Sequence, residues 1–465
     1  MDNNPQKDIE GVKEKRRQYI LTAPFLPLLL KMALPTMIGM MVSLIYNLTD
    51  TFWIGRLNDR SMTAAIGIVF AFVSFIQAVG FWFGYGSGNT MSRLLGAGEE
   101  KEAGIIASDG VVLSLVTGVV ILIVSLVLLN PLVVFLGGNA SPALFDYTRD
   151  YLQIMLYTVP FSLLSTTVYN QLRLCGNVKD AMIGLLVGML GNILLDPVFV
   201  LGLGMGIRGA GIATLIGNIF SCICVVMMSY RHGNIPAGLR GFQFTAERIY
   251  HILAGGAPNF SRQGITGVAS VLLNQAAAPY GETLLAGLTV STRVAALGYM
   301  LMIGFGQGFQ PICAMNYGAR QYERVKKALW LTGGIGTGFL MIATVLISVY
   351  AVPLAGLLSQ NPDVVEIAAR LVRYQCISFP FLGIYALSSM FLQNIGRYFS
   401  ALFVSIARQG TFYIPLLFIL PALLGEKGIY ILQPMADLLS VIVSVGIVAV
   451  LWKRIFNPET DDIYA

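Results

Sequence analysis

Asn192 and Asp196 stand four residues apart in the apolar run GNILLDPVFV. Four residues is about one helical turn, so the two side chains share a face. Pro197 follows and has no N–H, which deprives the Ile193 carbonyl of its helical partner. An amide, a carboxylate and a freed carbonyl within a turn are oxygen-rich material for a proton or a small hard cation. The alternative is a packing Asp that caps a neighbouring helix end. A charge in such a run needs a reason, since an Asp at mid-bilayer costs about 2.5–3.5 kcal/mol to insert. The other acids in apolar runs are Asp50, in LTDTFWIG, and Asp437; the bases are Lys31, Arg262, Arg293 and Arg408. Asp50 also fits an interfacial cap, and Thr214, in GAGIATLIG, reads by itself as a helix-packing threonine.

Other chemistries lack material. The five cysteines lie in or beside apolar runs without a CxxC, so a disulfide or zinc site is not expected. His232 and His251 are the only histidines, and both fall in a polar connection, which leaves no His-based triad or metal site. Gly204, Gly206 and Gly209 spell GxGxxG, but an apolar run precedes them and no βαβ unit surrounds them. They read as a tight turn. No GxxxxGK[ST] occurs, so any transport must run on a gradient or on a separate subunit. An enzyme is not expected, nor a resident cofactor.

The residues that position these groups are mostly apolar. Of 465 residues 56% are hydrophobic and 12% charged, against about 25% charged in soluble domains. Apolar stretches long enough to cross a bilayer lie near 24–54, 63–91, 105–135, 148–172, 181–203, 209–229, 252–280, 284–316, 328–358, 367–394, 399–424 and 429–451. The expected class is an all-α integral membrane protein with twelve transmembrane helices in two pseudo-symmetric six-helix bundles. The formal net charge of +6 sits between apolar runs and forms no basic aromatic face, which excludes a nucleic-acid partner. Arg93, Lys101, Arg173, Lys179, Arg231, Arg240, Arg248 and the cluster Lys13, Lys15, Arg16, Arg17 fall on one side, which places both termini in the cytoplasm. The division expected is a tail 1–22, an N-lobe 23–229, a linker 230–251, a C-lobe 252–452 and a tail 453–465.

The chain repeats itself. A shift of 222 residues carries Phe83, Gly84, Gly86, Gly96 and Ala97 onto Phe305, Gly306, Gly308, Gly318 and Ala319. A shift of 220 carries Pro160-Phe161 onto Pro380-Phe381 and Gly176 onto Gly396. Six spans per repeat is an even number, so both halves insert the same way up. Gly84/Gly88, Gly184/Gly188, Gly304/Gly308 and Gly334/Gly338 have the spacing of helix contacts. Methionines and aromatics such as Met37, Tyr46, Trp82 and Met302 read as packing or as the wall of an adaptable cavity.

The run NQLRLCGNVKDAMIGLLVGMLGNILLDPVFVLGLGMGIRGAGIAT resembles the multidrug and toxic compound extrusion (MATE) family, in its DinF-like and MepA-like bacterial branch. The segments DTFWIG and SGNTMSRLLGAG follow the same pattern, and the likeness covers about residues 20 to 452. The resemblance implies the MOP-superfamily fold and a secondary active antiporter. Such a protein exports organic cations and drugs in exchange for H+ or Na+ by alternating access. It implies an ion-coupling set of Asp50, Asn192, Asp196, the backbone carbonyl of Ala210, and Thr214, with Na+ held at Asp50, Asn192, Asp196 and Thr214 if Na+ is the ion. A multi-pass monomer in the bacterial cytoplasmic (inner) membrane, with small-molecule substrates and the lipid bilayer as its partners, is the expectation. The second half carries no matching acid: Asp196 falls on Leu416 and Asn192 on Phe412. The four bases at depth keep a lipid-linked oligosaccharide flippase of the same superfamily as the alternative.

Overall fold

The computed structural model describes residues 5–57, 59–231, 233–239 and 241–456. His232, Arg240 and the side chain of Asp50 lie outside the described residues. Without water, backbone groups must bond within their own segment, and apolar runs therefore fold as helices. In chain order these are α1 (Pro5–Thr22), α2 (Phe25–Gly55), α3 (Arg60–Ala97), α4 (Glu100–Val127), α5 (Leu129–Leu136), α6 (Pro142–Leu174), α7 (Val178–Pro197), α8 (Gly206–Ser229) and α9 (Ala246–Ala277). Then follow α10 (Glu282–Gly318), α11 (Tyr322–Val349), α12 (Ala351–Gly356), α13 (Pro362–Cys376), α14 (Phe379–Asn394), α15 (Tyr398–Ile406), α16 (Tyr413–Leu424) and α17 (Glu426–Ile455). Two wide π-turns, Val198–Gly202 and Ala407–Thr411, link α7 to α8 and α15 to α16. No strand occurs among the described residues.

Each of the twelve stretches expected to span coincides with one helix or a consecutive pair. By length and apolarity, nine spans qualify among the described residues, and a tenth if α13 and α14, bent by 58°, count as one. The helices α6 and α9 are long enough, at 33 and 32 residues, but more polar. Local signals set the ends. Ser141 accepts from the Leu144 N–H ahead of Pro142, and α3 stops at Gly98, whose φ of 88° is left-handed. The position 222 residues on is Arg320, also left-handed at φ 55°. Gly176 and Gly396, matched by the 220 shift, have φ of 84° and 86°. The repeat therefore reproduces backbone turns as well as letters.

Two of the basic residues expected in connections are buried inside helices instead. Because α3 runs to Ala97 and α6 to Leu174, Arg93 and Arg173 are fully buried. Arg173 donates to Asn170 Oδ1 at 3.1 Å and lies over the Tyr85 ring. Lys31 and Arg293, expected at depth, are exposed on their helices.

The chain forms two compact units: Met1–Ala23 with Ile38–Phe260, and Pro24–Met37 with Ser261–Ala465. The connection 230–251 falls inside the first unit. Its core joins residues from α3, α6 and α8 with Ile54 and Ile252. Within it, α9 crosses α3 closely enough that a Cβ on Gly86 would overlap the Ile252 carbonyl, and one on Gly256 the Trp82 carbonyl. Trp82 Nε1 donates to the Leu253 carbonyl at 2.7 Å, and its ring stacks on Phe260.

The second unit has its own core around Leu284, Leu417, Tyr430 and Leu432. Within it, the opening stretch of α2 crosses α10 in the corresponding place. A Cβ on Gly308 would lie 2.5 Å from the Ala33 backbone, and Thr36 Oγ1 donates to the Gly304 carbonyl at 2.6 Å. Gly86 and Gly308 are repeat partners, so the shared glycine has a shared cause: no side chain fits at the crossing.

Candidate functional site

Small residues bring α7 and α8 together. Gly184, Gly188 and Asn192 follow one another at four-residue spacing on α7, as do Gly217, Ser221 and Val225 on α8. A Cβ on Gly188 would lie 2.7 Å from the Gly217 carbonyl, and one on Gly217 would lie 2.9 Å from the Gly188 carbonyl. With the backbones this close, the next turn of each helix presents its polar group to the other.

There Asn192 Nδ2 donates to Asp196 Oδ1 at 3.3 Å and to Thr214 Oγ1 at 3.0 Å. All three residues are almost wholly buried, and Ala210 lies buried one turn before Thr214. Asn192 Oδ1 is buried with no hydrogen-bond partner among the described residues. An unpaired buried oxygen costs about 1–3 kcal/mol and marks a place where a ligand, an ion or a turn of the amide gains energy. Pro197 closes α7 at the switch into the π-turn, and α8 resumes at Gly206, whose φ of 57° makes the tight turn. The GxGxxG run is thus a turn. Of the expected set, Asn192, Asp196 and Thr214 meet directly, Ala210 flanks them, and the Asp50 side chain lies outside the described residues.

A cavity of about 150 Å3 adjoins this cluster and shares Thr214 as part of its wall. Tyr46, Gln77, Ser165, Asn218 and Ser221 supply further polar lining. Such a volume suits a few waters or a hydrated ion, whereas drug-sized ligands occupy about 300–1,000 Å3. Sequence reading named Tyr46 among cavity-wall candidates and missed the others. Their signal was available: Ser162, Ser165 and Thr166, like Thr214, Asn218 and Ser221, are polar residues at helical spacing in apolar runs. Trp82 and Met302, by contrast, serve packing: Trp82 bonds to Leu253, and Met302 is fully buried.

No group of three or more His, Cys, Asp or Glu that could hold a metal exists among the described residues. Asp196 and Thr214 supply the oxygens that meet here, and oxygens of this kind suit a small hard cation such as Na+. In the present arrangement Asn192 turns its NH2 toward Asp196 and Thr214, so its own oxygen joins that set only after a half-turn of the amide.

The sequence profile of the MatE family matches residues 35–198 and, a second time, 265–419. The chain belongs to the MatE family. Its two matches fall on the two halves of the internal repeat. Among MatE-type relatives, the multidrug export protein MepA of Staphylococcus aureus (strain MSSA476) is 27% identical over 447 residues, 96% of this chain and 98% of that one. MepA of Staphylococcus haemolyticus (strain JCSC1435) is 28% identical over 419 residues, covering 90% and 92%. Among solved structures, an outward-facing multidrug resistance MATE family transporter of the MOP superfamily matches with a TM-score of 0.87. It shares 23% identity and covers 97% of this chain and 99% of its own. A MOP superfamily transporter from Pyrococcus furiosus, described as having a binding pocket of reversed polarity, also gives 0.87 at 23% identity, with 97% and 99% covered. Those structures establish the MATE fold for this chain.

Proposed function

We propose that the chain is a secondary active multidrug efflux antiporter, exporting organic cations and drugs in exchange for H+ or Na+ by alternating access. The resemblance to multidrug export proteins over nearly the whole length supports the substrate class. The observation that carries the coupling is Asn192 bridging Asp196 and Thr214 in a buried cluster beside a small polar cavity. A carboxylate in that setting is a costly charge, and an incoming proton or cation removes the cost. The ion's differential affinity for two conformers then drives the switch between them. Either ion fits this reading: H+ on the Asp196 carboxylate, or Na+ held by Asp196 and Thr214 together with the Asn192 amide oxygen.

In this reading residues 23–229 form the ion-binding lobe and 252–452 the second lobe, joined by 230–251. The protein works as a monomer in the bacterial cytoplasmic membrane with both termini inside, and as a transporter rather than an enzyme. The flippase alternative has less support, since of its four bases Lys31 and Arg293 are exposed on their helices. The test is Asp196→Asn. Cells expressing it are expected to lose extrusion of a fluorescent cation while the protein still reaches the membrane. Extrusion at the wild-type rate would remove Asp196 from the mechanism.

A further inference from the structure

The second unit holds a charged cluster that the coupling scheme does not use. Asp437 on α17 is 1% exposed and accepts three hydrogen bonds. They come from Arg408 Nε at 2.6 Å, Gln433 Nε2 at 2.7 Å and Ser378 Oγ at 2.7 Å. Arg408 sits in the π-turn Ala407–Thr411, and its guanidinium lies over the Tyr299 ring, 4.9 Å from the centroid. Arg262 Nη1 donates to the Tyr299 hydroxyl at 3.4 Å, so two guanidinium groups converge on one tyrosine. Tyr299 is near the middle of the 37-residue α10, far from either helix end.

The carboxylate takes donors on both of its oxygens, whereas Arg408 gives it only one of its N–H groups. Among the described residues its hydrogen bonds run through Nε alone, and its side chain keeps 14% of its surface open. Asp437 and Tyr299 thus fix the plane of the guanidinium and leave its two terminal nitrogens for another partner. That pair of nitrogens is the fork that binds a carboxylate or phosphate through two parallel hydrogen bonds. A fixed ionisable group in a span, with an accessible donor edge, has the form of a ligand site rather than of a packing device. π-turns often accompany such sites.

We propose that Arg408, oriented by Asp437 and Tyr299, is a receptor in the second unit for the carboxylate of a small organic acid or zwitterion. The mid-helix position favours a soluble carboxylate over a lipid phosphate, which stays at the bilayer surface. The inference concerns binding alone and does not depend on Asp196 or on the coupling ion.

The test uses the full chain in phosphatidylcholine nanodiscs, with naphthalene-2-carboxylate as probe and its methyl ester as control. The wild type is expected to bind the carboxylate about tenfold more tightly than the ester. Arg408→Gln alone would strand the buried carboxylate, so the decisive variant is the double change R408Q/D437N, which removes both charges. There the preference is expected to fall to about one. Asp437→Asn alone keeps the fork and removes its competitor, so carboxylate affinity should hold or rise several-fold. A merely structural pair would instead lose affinity for both probes together. Equal binding of the two probes by the wild type, or a preference that survives in the double variant, overturns the proposal.

Discussion

Asn192 links Thr214, 22 positions on in the chain, to Asp196, one helical turn away. Its removal therefore costs two hydrogen bonds in a buried place, about 1–3 kcal/mol. Asn192→Ala is expected to weaken ion affinity about tenfold, seen as a shift in the ion concentration giving half-maximal dye transport, with the protein still folded. Two of this trio were legible in the sequence. The four-residue spacing of Asn192 and Asp196 has one geometric meaning on a helix. Thr214 was not legible from spacing, because its approach depends on the register between α7 and α8. It entered the expected set through family resemblance. The Arg408–Asp437 pair was missed for the same reason: both were named as charges at depth, but their meeting is set by the packing of the π-turn Ala407–Thr411 against α17.

Helix contacts show what element-level pattern reading can do and where it stops. Of the glycine pairs with contact spacing, Gly184/Gly188 and Gly304/Gly308 meet neighbouring backbones, whereas Gly334 and Gly338 have nothing near a built Cβ. The spacing says that two glycines share a face, not that the face meets a partner. Gly188→Ala would force α7 off α8 against backbone atoms that cannot rotate away. A loss of about 1–3 kcal/mol is expected, read as a lower melting temperature in detergent, together with reduced transport because Asn192 and Thr214 separate. Gly334→Ala is the contrast and should stay within about 0.5 kcal/mol of wild type. The two π-turns had no signal beyond Pro197, and they change which way the helix ends face. Helix positions themselves were legible, since hydrophobic length is what a bilayer demands. Their ends were less so, as the burial of Arg93 and Arg173 shows.

At the scale of the molecule, the repeat was visible in the sequence but its packing was not. Each compact unit includes the opening stretch of a spanning helix from the other half of the sequence, 24–37 in one and 246–260 in the other. Contacts such as Gly308 with Ala33 join residues 275 positions apart, and no local pattern announces them. A chain cut at the 230–251 connection should therefore fail as either half alone. Co-expressed halves are expected to recover a monodisperse peak by size-exclusion chromatography, whereas a stable, monodisperse first half alone would contradict this packing. The whole account rests on ion entry driving drug exit. The most direct measurement is uptake of an ethidium-like dye into proteoliposomes of the purified protein, under an imposed pH gradient and then under a Na+ gradient. The account predicts concentrative uptake driven by one of the two gradients and abolished by Asp196→Asn; dye movement indifferent to both gradients would contradict it.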